Sequence, residues 1–541
     1  MGEPNVHKRQ SAVCAAVAGI GILVPATAHA DSAADSVKAL PVNALSNRPL
    51  SAPALLPPGR TAARTVRTHA AGPLSPSLRF SDVGMLSVAG FAADQNWIAG
   101  TSYSFDFGDG SAPVSTSGSA VSHSYSKPGT YPVTLTETDP AGDSATVTAP
   151  YTTRGTNFSP YGPTRLLDTR NGTGAQQGAV APGDTIRLKV AGVGSVPANA
   201  AAAVLNLTVN SPTAAGVITA YPDGDRAAPG TASVDFAAGQ TVATLAVAQL
   251  GADGTVDLLN NSSGTVQVIA DITGYFTPAA AAGYTSLSPV RLLDTRKGIG
   301  APAGVVGAGK AVTLTIAGAD GGQLPGSGIT AVALNVTATG TLGTGYVTAY
   351  PDGTTRPATS NVNFTAGQVV ANTVIVPVGS DGKIDLYNSS TGTQIIADVD
   401  GYFSAGGTNA YLPMDPDRID DTTSDGWGPI PGAGVRELGL IYTADPDTGD
   451  PVPMALGMNA FVMTTTVTNT AQSGYLTVYP FGVTRPVVSN LNFAAGQTVA
   501  NLSLATAGTD GAQNVKAVDY YNGTSGYFDV RTDLTGVFGT Y

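Results

Sequence analysis

Four short segments recur three times, always in the same order, between about Ser159 and Tyr541. Arg165–Arg170 (RLLDTR) returns as Arg291–Arg296 and, altered, as Arg418–Thr423 (RIDDTT). Tyr221–Gly224 (YPDG) returns as Tyr350–Gly353 and Tyr479–Gly482, and Phe236–Gln240 (FAAGQ) as Phe364–Gln368 and Phe493–Gln497. Asp271–Phe276 returns as Asp398–Phe403 and Asp533–Phe538. The first segment recurs after 126 and then 127 residues, the second after 129 and again 129. Copies in such register are not accidental, and a period of that length is a whole domain, not one rung of a solenoid.

The second copy shows the local pattern best. Val312–Ile316, Ala331–Val336, Tyr346–Tyr350, Val362–Phe364, Val374–Pro377, Ile384–Tyr387 and Gln394–Asp398 are short and mostly β-branched, with Asp-Gly or Gly-Ser between them. No segment holds a 3.6-residue period, so each copy reads as about eight strands. The expected fold is all-β, with tandem two-sheet sandwiches or jelly rolls at residues 158–278, 284–404 and 410–541.

Scarcity limits the chemistry. The four His are His7, His29, His69 and His123, the three Glu are Glu3, Glu137 and Glu437, and the single Cys is Cys14. Ser-His-Asp hydrolysis, Cys-His nucleophiles, His-ligated zinc and a disulfide framework are excluded from the repeats. A net charge of −12, from 26 Lys+Arg against 38 Asp+Glu, also argues against a nucleic-acid partner.

The N-terminus reads as an export signal over residues 1–30. His7-Lys8-Arg9 is a basic start, Ser11–Ala26 an apolar stretch, and Ala28-His29-Ala30 has small-x-small cleavage spacing. No second apolar span follows, so no integral membrane span is expected after cleavage. Residues 31–79 are rich in Ala, Pro and Ser without lasting periodicity, as a disordered linker would be. The Asn206-Leu-Thr208 and Asn335-Val-Thr337 sequons read as chance products of a Thr- and Asn-rich chain.

Between the linker and the repeats, Thr101–Phe107 alternates and breaks at Gly108-Asp109-Gly110. His123-Ser-Tyr125, Pro128-Gly129-Thr130-Tyr131 and Val133-Thr-Leu135 follow. In these residues, segment 80–153 resembles a polycystic-kidney-disease (PKD) type domain, an immunoglobulin-like sandwich, with Phe105 where that family usually has Trp. The resemblance implies a non-catalytic spacer or interaction module. Asp106 and Asp109 have a metal reading, but two carboxylates fall short of the six to eight oxygens calcium takes, and Asp braces a tight turn readily. The three copies that follow resemble the RLLDTR-type repeat of secreted actinobacterial proteins.

Three sets of repeat residues are candidates for function. Arg165, Asp168 and Arg170, with Arg291, Asp294 and Arg296, place a carboxylate between guanidiniums; that makes a poor general acid and favours a structural clamp at a domain edge or junction. Tyr221, Tyr350, Tyr479 and Tyr387 offer rings at strand ends that could stack on sugars, or else cover the sandwich. Asp445, Asp447 and Asp450 in the acidic third copy have the alternate spacing of a calcium loop, without its closing Glu, so calcium is the one cofactor left open.

The expected function is a non-catalytic, secreted interaction or scaffold protein, held by non-covalent contacts or released. Its partners would be an extracellular polysaccharide, the cell wall or a surface protein. The alternative is an array of carbohydrate-binding modules, and a third reading is an Asp-based glycoside hydrolase.

Overall fold

The run Ala202–Val209 is buried at every position, where an ordinary sandwich strand would alternate buried with exposed. Ala331–Ala338 and Ala460–Val467 behave the same way. Such strands must have a neighbour on each face, and the arrangement of the three copies supplies it. The computed structural model describes residues 9–15, 73–224, 228–441, 443–444, 451–452, 457–512 and 515–540.

Each copy is an eight-stranded jelly roll. In the first copy one sheet runs in the order Asn157–Asp168, Gln267–Thr277, Ala202–Asn210, Val242–Gln249. The other runs Thr185–Lys189, Thr255–Ser262, Gly216–Pro222, Val234–Phe236. All neighbours within these sheets are antiparallel, and the strand orders 1-8-3-6 and 2-7-4-5 are those of a jelly roll. The second and third copies repeat both sheets over Gly283–Ser404 and Ala410–Gly539. The all-β expectation holds; a single turn of 3₁₀ helix lies at Asp320–Gly322.

The first sheet of each copy faces inward, and the three inner sheets close around a common axis. Ala203, Leu205, Leu207 and Val209 fill the first copy's own sandwich. Ala202 and Val204, pointing the other way, join a shared cluster with Ala331 and Ala333 of the second copy and Ala460 and Val462 of the third. Six rings complete that cluster: Phe158 and Phe276, Tyr284 and Phe403, Tyr411 and Phe538, two from each copy and all at 0–1% exposure. Their centroids lie 4.3 to 6.2 Å apart in tilted and edge-on arrangements, the geometry that ring quadrupoles favour.

Main-chain bridges tie this end of the axis into a ring. Phe158 pairs with Ala282, Tyr284 with Asn409, and Tyr411 with Thr156. Each copy's entry strand therefore bonds to the connector leading into another. The glycine of the Asp271–Phe276 segment has a steric reason: a Cβ on Gly274 would sit 2.2 Å from the Phe158 ring, and one on Gly401 or Gly536 would sit 2.3 Å from the hydroxyl of Tyr284 or Tyr411.

The N-terminal sandwich pairs a three-stranded sheet (Ser77–Asp82, Ser87–Ala93, Ala120–Ser124) with a four-stranded one (Val114–Thr116, Ser102–Asp106, Thr130–Thr138, Ser144–Thr152). Phe105, Phe107, Val133 and Leu135 form its centre at 0–1% exposure. It starts at Ser77, a few residues before the expected boundary, because Leu78 and Phe80 pair with Ala92 and Gly90. Its Met85 and Leu86 insert into the third copy's core, and Gly155 N–H donates to Met85 O at 2.7 Å. The expected leader and linker lie outside the described residues except at Arg9–Ala15 and from residue 73. The backbone of Arg9–Ala15 runs parallel beside Val435–Ile441, at the edge of the third copy's outer sheet.

Because the inner sheets of all three copies depend on one another for burial, they should unfold together. Phe403→Ala is expected to destabilise the whole repeat region by about 3–5 kcal/mol. Calorimetry should show one shifted repeat transition; loss of the second copy alone, in a separate step, would contradict the shared core.

Candidate functional site

The charged residues of the repeats form a clamp. Arg165 sends Nε and Nη2 to the two oxygens of Asp271, at 2.9 and 3.1 Å, and Nη1 to Asp168 at 3.2 Å. Arg170 closes on Asp168 with Nε at 2.8 Å and Nη2 at 2.7 Å. The second copy reproduces the set with Arg291, Asp398, Asp294 and Arg296. In the third, Arg418 binds Asp533 and Asp421. Thr423 stands where the second Arg was, and a guanidinium arrives from the opposing strand instead, Arg531 at 3.4 Å from Asp421. Asp168 has only 1% of its side chain exposed, and the hydrogen bonds from Arg170 hold it below the ordinary carboxylate range against the opposing effect of burial. Arg296 does the same for Asp294.

This clamp also reaches across the ring. Arg165 Nη2 donates to Ala358 O of the second copy at 3.5 Å, and Arg418 Nη2 to Gly230 O of the first at 3.1 Å. Asp533 accepts from Ala232 N–H at 2.8 Å. Sequence reasoning missed the amides that work beside it. Asn206 donates to Ser360 O at 2.7 Å, and Asn372 to Asn206 Oδ1 at 3.3 Å; Asn501 repeats the second bond to Asn335 at 2.9 Å. Asn206 and Asn335, the two sequon asparagines named above, are at 1% exposure and are thus cross-links between copies. At the remaining junction, Thr244 and Thr464 replace the Asn pair, and Thr466 Oγ1 donates to Asp235 at 3.0 Å.

The tyrosine candidates require correction. Tyr221, Tyr350 and Tyr479 are only 8%, 7% and 3% exposed. They are absent from their copies' sandwich cores yet are buried, and the strand that carries each is tied to the returning chain two residues earlier. The Thr219 hydroxyl donates to Thr231 O, Thr348 to Thr359 O and Thr477 to Val488 O. Rings so covered cannot stack on a sugar. Tyr387 is half-exposed, but Arg356 lies over its ring at 4.1 Å; Tyr521 carries Arg485 in the same way at 3.5 Å.

Asp106 and Asp109 brace the turn of the N-terminal sandwich. Asp106 Oδ1 accepts from Gly108 N–H at 2.9 Å, and Asp109 Oδ1 from Ser111 N–H at 3.1 Å and its hydroxyl at 2.6 Å. Asp109 Oδ2 meets His123 Nε2 at 2.8 Å. Burial pushes Asp109 up, but these bonds and His123 outweigh it and hold it at about 2.

Asp445, Asp447 and Asp450 lie outside the described residues; among those described, no three His, Cys, Asp or Glu side chains gather as a metal site. Part of the acidic stretch before Trp427 is interior. Asp420 takes the place held by Leu167 in the first copy, Arg436 that of Ile186, and Arg436 Nη2 pairs with Asp420 at 2.7 Å and with Asp425. Burial raises Asp420 to about 6.

One open cavity lies where the copies converge at the far end from the ring cluster. About 800 Å³ in volume, it is lined by Ala215–Val217 and Asp235–Ala237 of the first copy, Gly367–Val370 of the second, and Ser473 and Phe493–Thr498 of the third. The FAAGQ-type segments, which the sequence alone left without a role, thus meet at one mouth.

Residues 89–150 match the PKD domain family. Among solved structures, the chain is similar to the PKD1 domain of Vibrio anguillarum Epp (31% identity, 15% of this chain and 94% of that one, TM-score 0.14). A structure described as showing the promiscuous specificity of carbohydrate-binding modules of the β-sandwich superfamily is similar at 13% identity, over 61% of this chain and 96% of that one, TM-score 0.14. A triple jelly roll from an archaeal virus is similar at 9% identity, over 76% and 89%, TM-score 0.16. No curated protein matches the sequence. No helix among the described residues is long and apolar enough to cross a membrane.

Two outcomes test the clamp and its variation. A carboxylate with a depressed pKa contributes stability above its ordinary value, about 3.9, and loses it as pH falls through the folded value. Asp168→Ala should therefore lower the melting temperature clearly at pH 7, and the gap from wild type should narrow toward pH 3; a gap independent of pH would remove the ion pair as its cause. Arg436→Ala should cost about 3–5 kcal/mol by stranding buried Asp420. Restoring the first copy's residues with Asp420→Leu, Asp425→Asn (the place of Asn171, which caps the same turn) and Arg436→Ile should return stability to at least the wild-type level in urea titration.

Proposed function

We propose that this is an exported, non-catalytic binding protein acting at the cell surface or on an insoluble extracellular polymer. The observation that carries the reading is the engagement of the repeated charged residues: Asp271, Asp398 and Asp533 are each held by an arginine, and Asp168 and Asp294 each by two. A glycosidase needs one carboxylic acid and one free carboxylate facing a common cleft. These groups are instead spent on joining strands and copies.

The basic, apolar and small-residue order of residues 1–30 supports export. The PKD domain, docked on the third copy, supports a rigid display element, and the shared core supports a single body in place of beads on a string. A polysaccharide or wall polymer is the partner class favoured here, with a surface protein as the second. Calcium at Asp445, Asp447 and Asp450 is a further proposal.

The full-length chain should co-sediment with at least one of chitin, cellulose or purified bacterial cell walls and release no reducing ends from it. Dependence on added calcium would implicate the third-copy loop. Released sugar would overturn the non-catalytic reading, and failure to bind any polymer would leave a protein partner in its place.

A further inference from the structure

We propose that the axial mouth binds a short stretch of a neutral polysaccharide, with one site per molecule. The inference rests on the polymer-binding reading above and names its site.

The volume of about 800 Å³ falls within the roughly 300–1,000 Å³ of small-ligand sites. The lining holds one acid, Asp235, and neither lysine nor arginine, so an anionic polymer or a peptide carboxylate would meet repulsion without compensation. The polar groups that remain are arranged as donors and one acceptor. Gln368 Oε1 accepts from Thr365 N–H at 2.8 Å, and Gln497 Oε1 from Ala494 N–H at 2.9 Å. Each carboxamide is thereby fixed in place. The Nε2 groups find no partner among the described residues and remain as donors toward a ligand. One oxygen of Asp235 takes the Thr466 hydroxyl, leaving the other to accept.

Apolar surface lies between these groups. Val217 and Val369 line the mouth, and Val369 is 44% exposed. One step further along the axis-facing positions are Ala243, Ala371 and Ala500, small side chains that leave room beneath. Fixed hydroxyl partners separated by C–H-sized apolar patches suit a pyranose, whose edge carries hydroxyls and whose face carries C–H groups. The opposite end of the axis is filled by the six rings, which makes this a blind pocket suited to a few sugar units of one chain.

The test uses the full-length chain and isothermal titration with the neutral β-linked hexasaccharides of glucose, xylose, N-acetylglucosamine and mannose, followed by sedimentation with the matching polymer. One sugar should bind at one site per chain. Val369→Trp, which fills the mouth, should weaken it by at least about tenfold. So should the double variant Gln368→Glu with Gln497→Glu, which keeps each loop cap but removes the donors. Gln240→Glu is the internal control: Gln240 caps its loop identically at 2.9 Å but does not line the mouth, so affinity should stay within about twofold, with all melting temperatures compared. Unchanged affinity in Val369→Trp, for hexasaccharide or polymer, would overturn the mouth while sparing the polymer-binding reading. A wild-type chain that binds no polymer would overturn both.

Discussion

The structure depends on inner sheets that are buried on both faces. A sandwich normally spends one face of each sheet on its own core and gives the other to solvent. Here the runs Ala202–Val209, Ala331–Ala338 and Ala460–Val467 have no solvent face to give. Closing three copies around an axis is the arrangement that hides all three second faces at once. The six-ring cluster, the glycines opposite Phe158, Tyr284 and Tyr411, and the bridges between connectors all follow from it.

Apolar contact alone would not fix how the copies are rotated against each other. The polar groups do that. An Asn carboxamide buried at the junction must find its partners or forfeit the cost of desolvation, so the bonds from Asn206 to Ser360 and from Asn335 to Ser489 specify one alignment. The arginine clamps add a charged register mark at each entry strand. The third junction departs from the pattern, with Thr244 and Thr464 in place of the paired amides and Thr466 bonded to Asp235, and in the third copy's clamp Arg531 meets Asp421 where Arg170 and Arg296 close the other two. This divergence coincides with a core in which two charges, Asp420 and Arg436, stand where the first copy has Leu167 and Ile186.

Much of this was legible in the residues. Short β-branched runs broken by Asp-Gly turns foretold the sandwiches, and the spacing of RLLDTR foretold three of them. The turn-bracing role of Asp106 and Asp109 also followed from local geometry, because an Asp bonds to backbone one or two residues away. Tyr350 was a different matter. Its place at a strand end near a turn is read from sequence, but that its ring is 7% exposed is set by what the folded chain packs around it. The sequons show the same limit: Asn206 and Asn335 carry a surface motif and are buried, since their partners lie about 150 residues away in another copy.

The sequence by itself determined the strands, their grouping into one small sandwich and three equivalent ones, and the absence of imidazole and thiol chemistry from the repeats. Those properties reside in local periodicity and composition. Only the tertiary structure decided that the copies share one core, that Asp271 belongs to Arg165, and that the three FAAGQ-type loops surround one cavity. Each of these joins residues a hundred or more positions apart, and their meeting is set by which faces must be hidden from water, a property of the assembled sheets that no single segment carries.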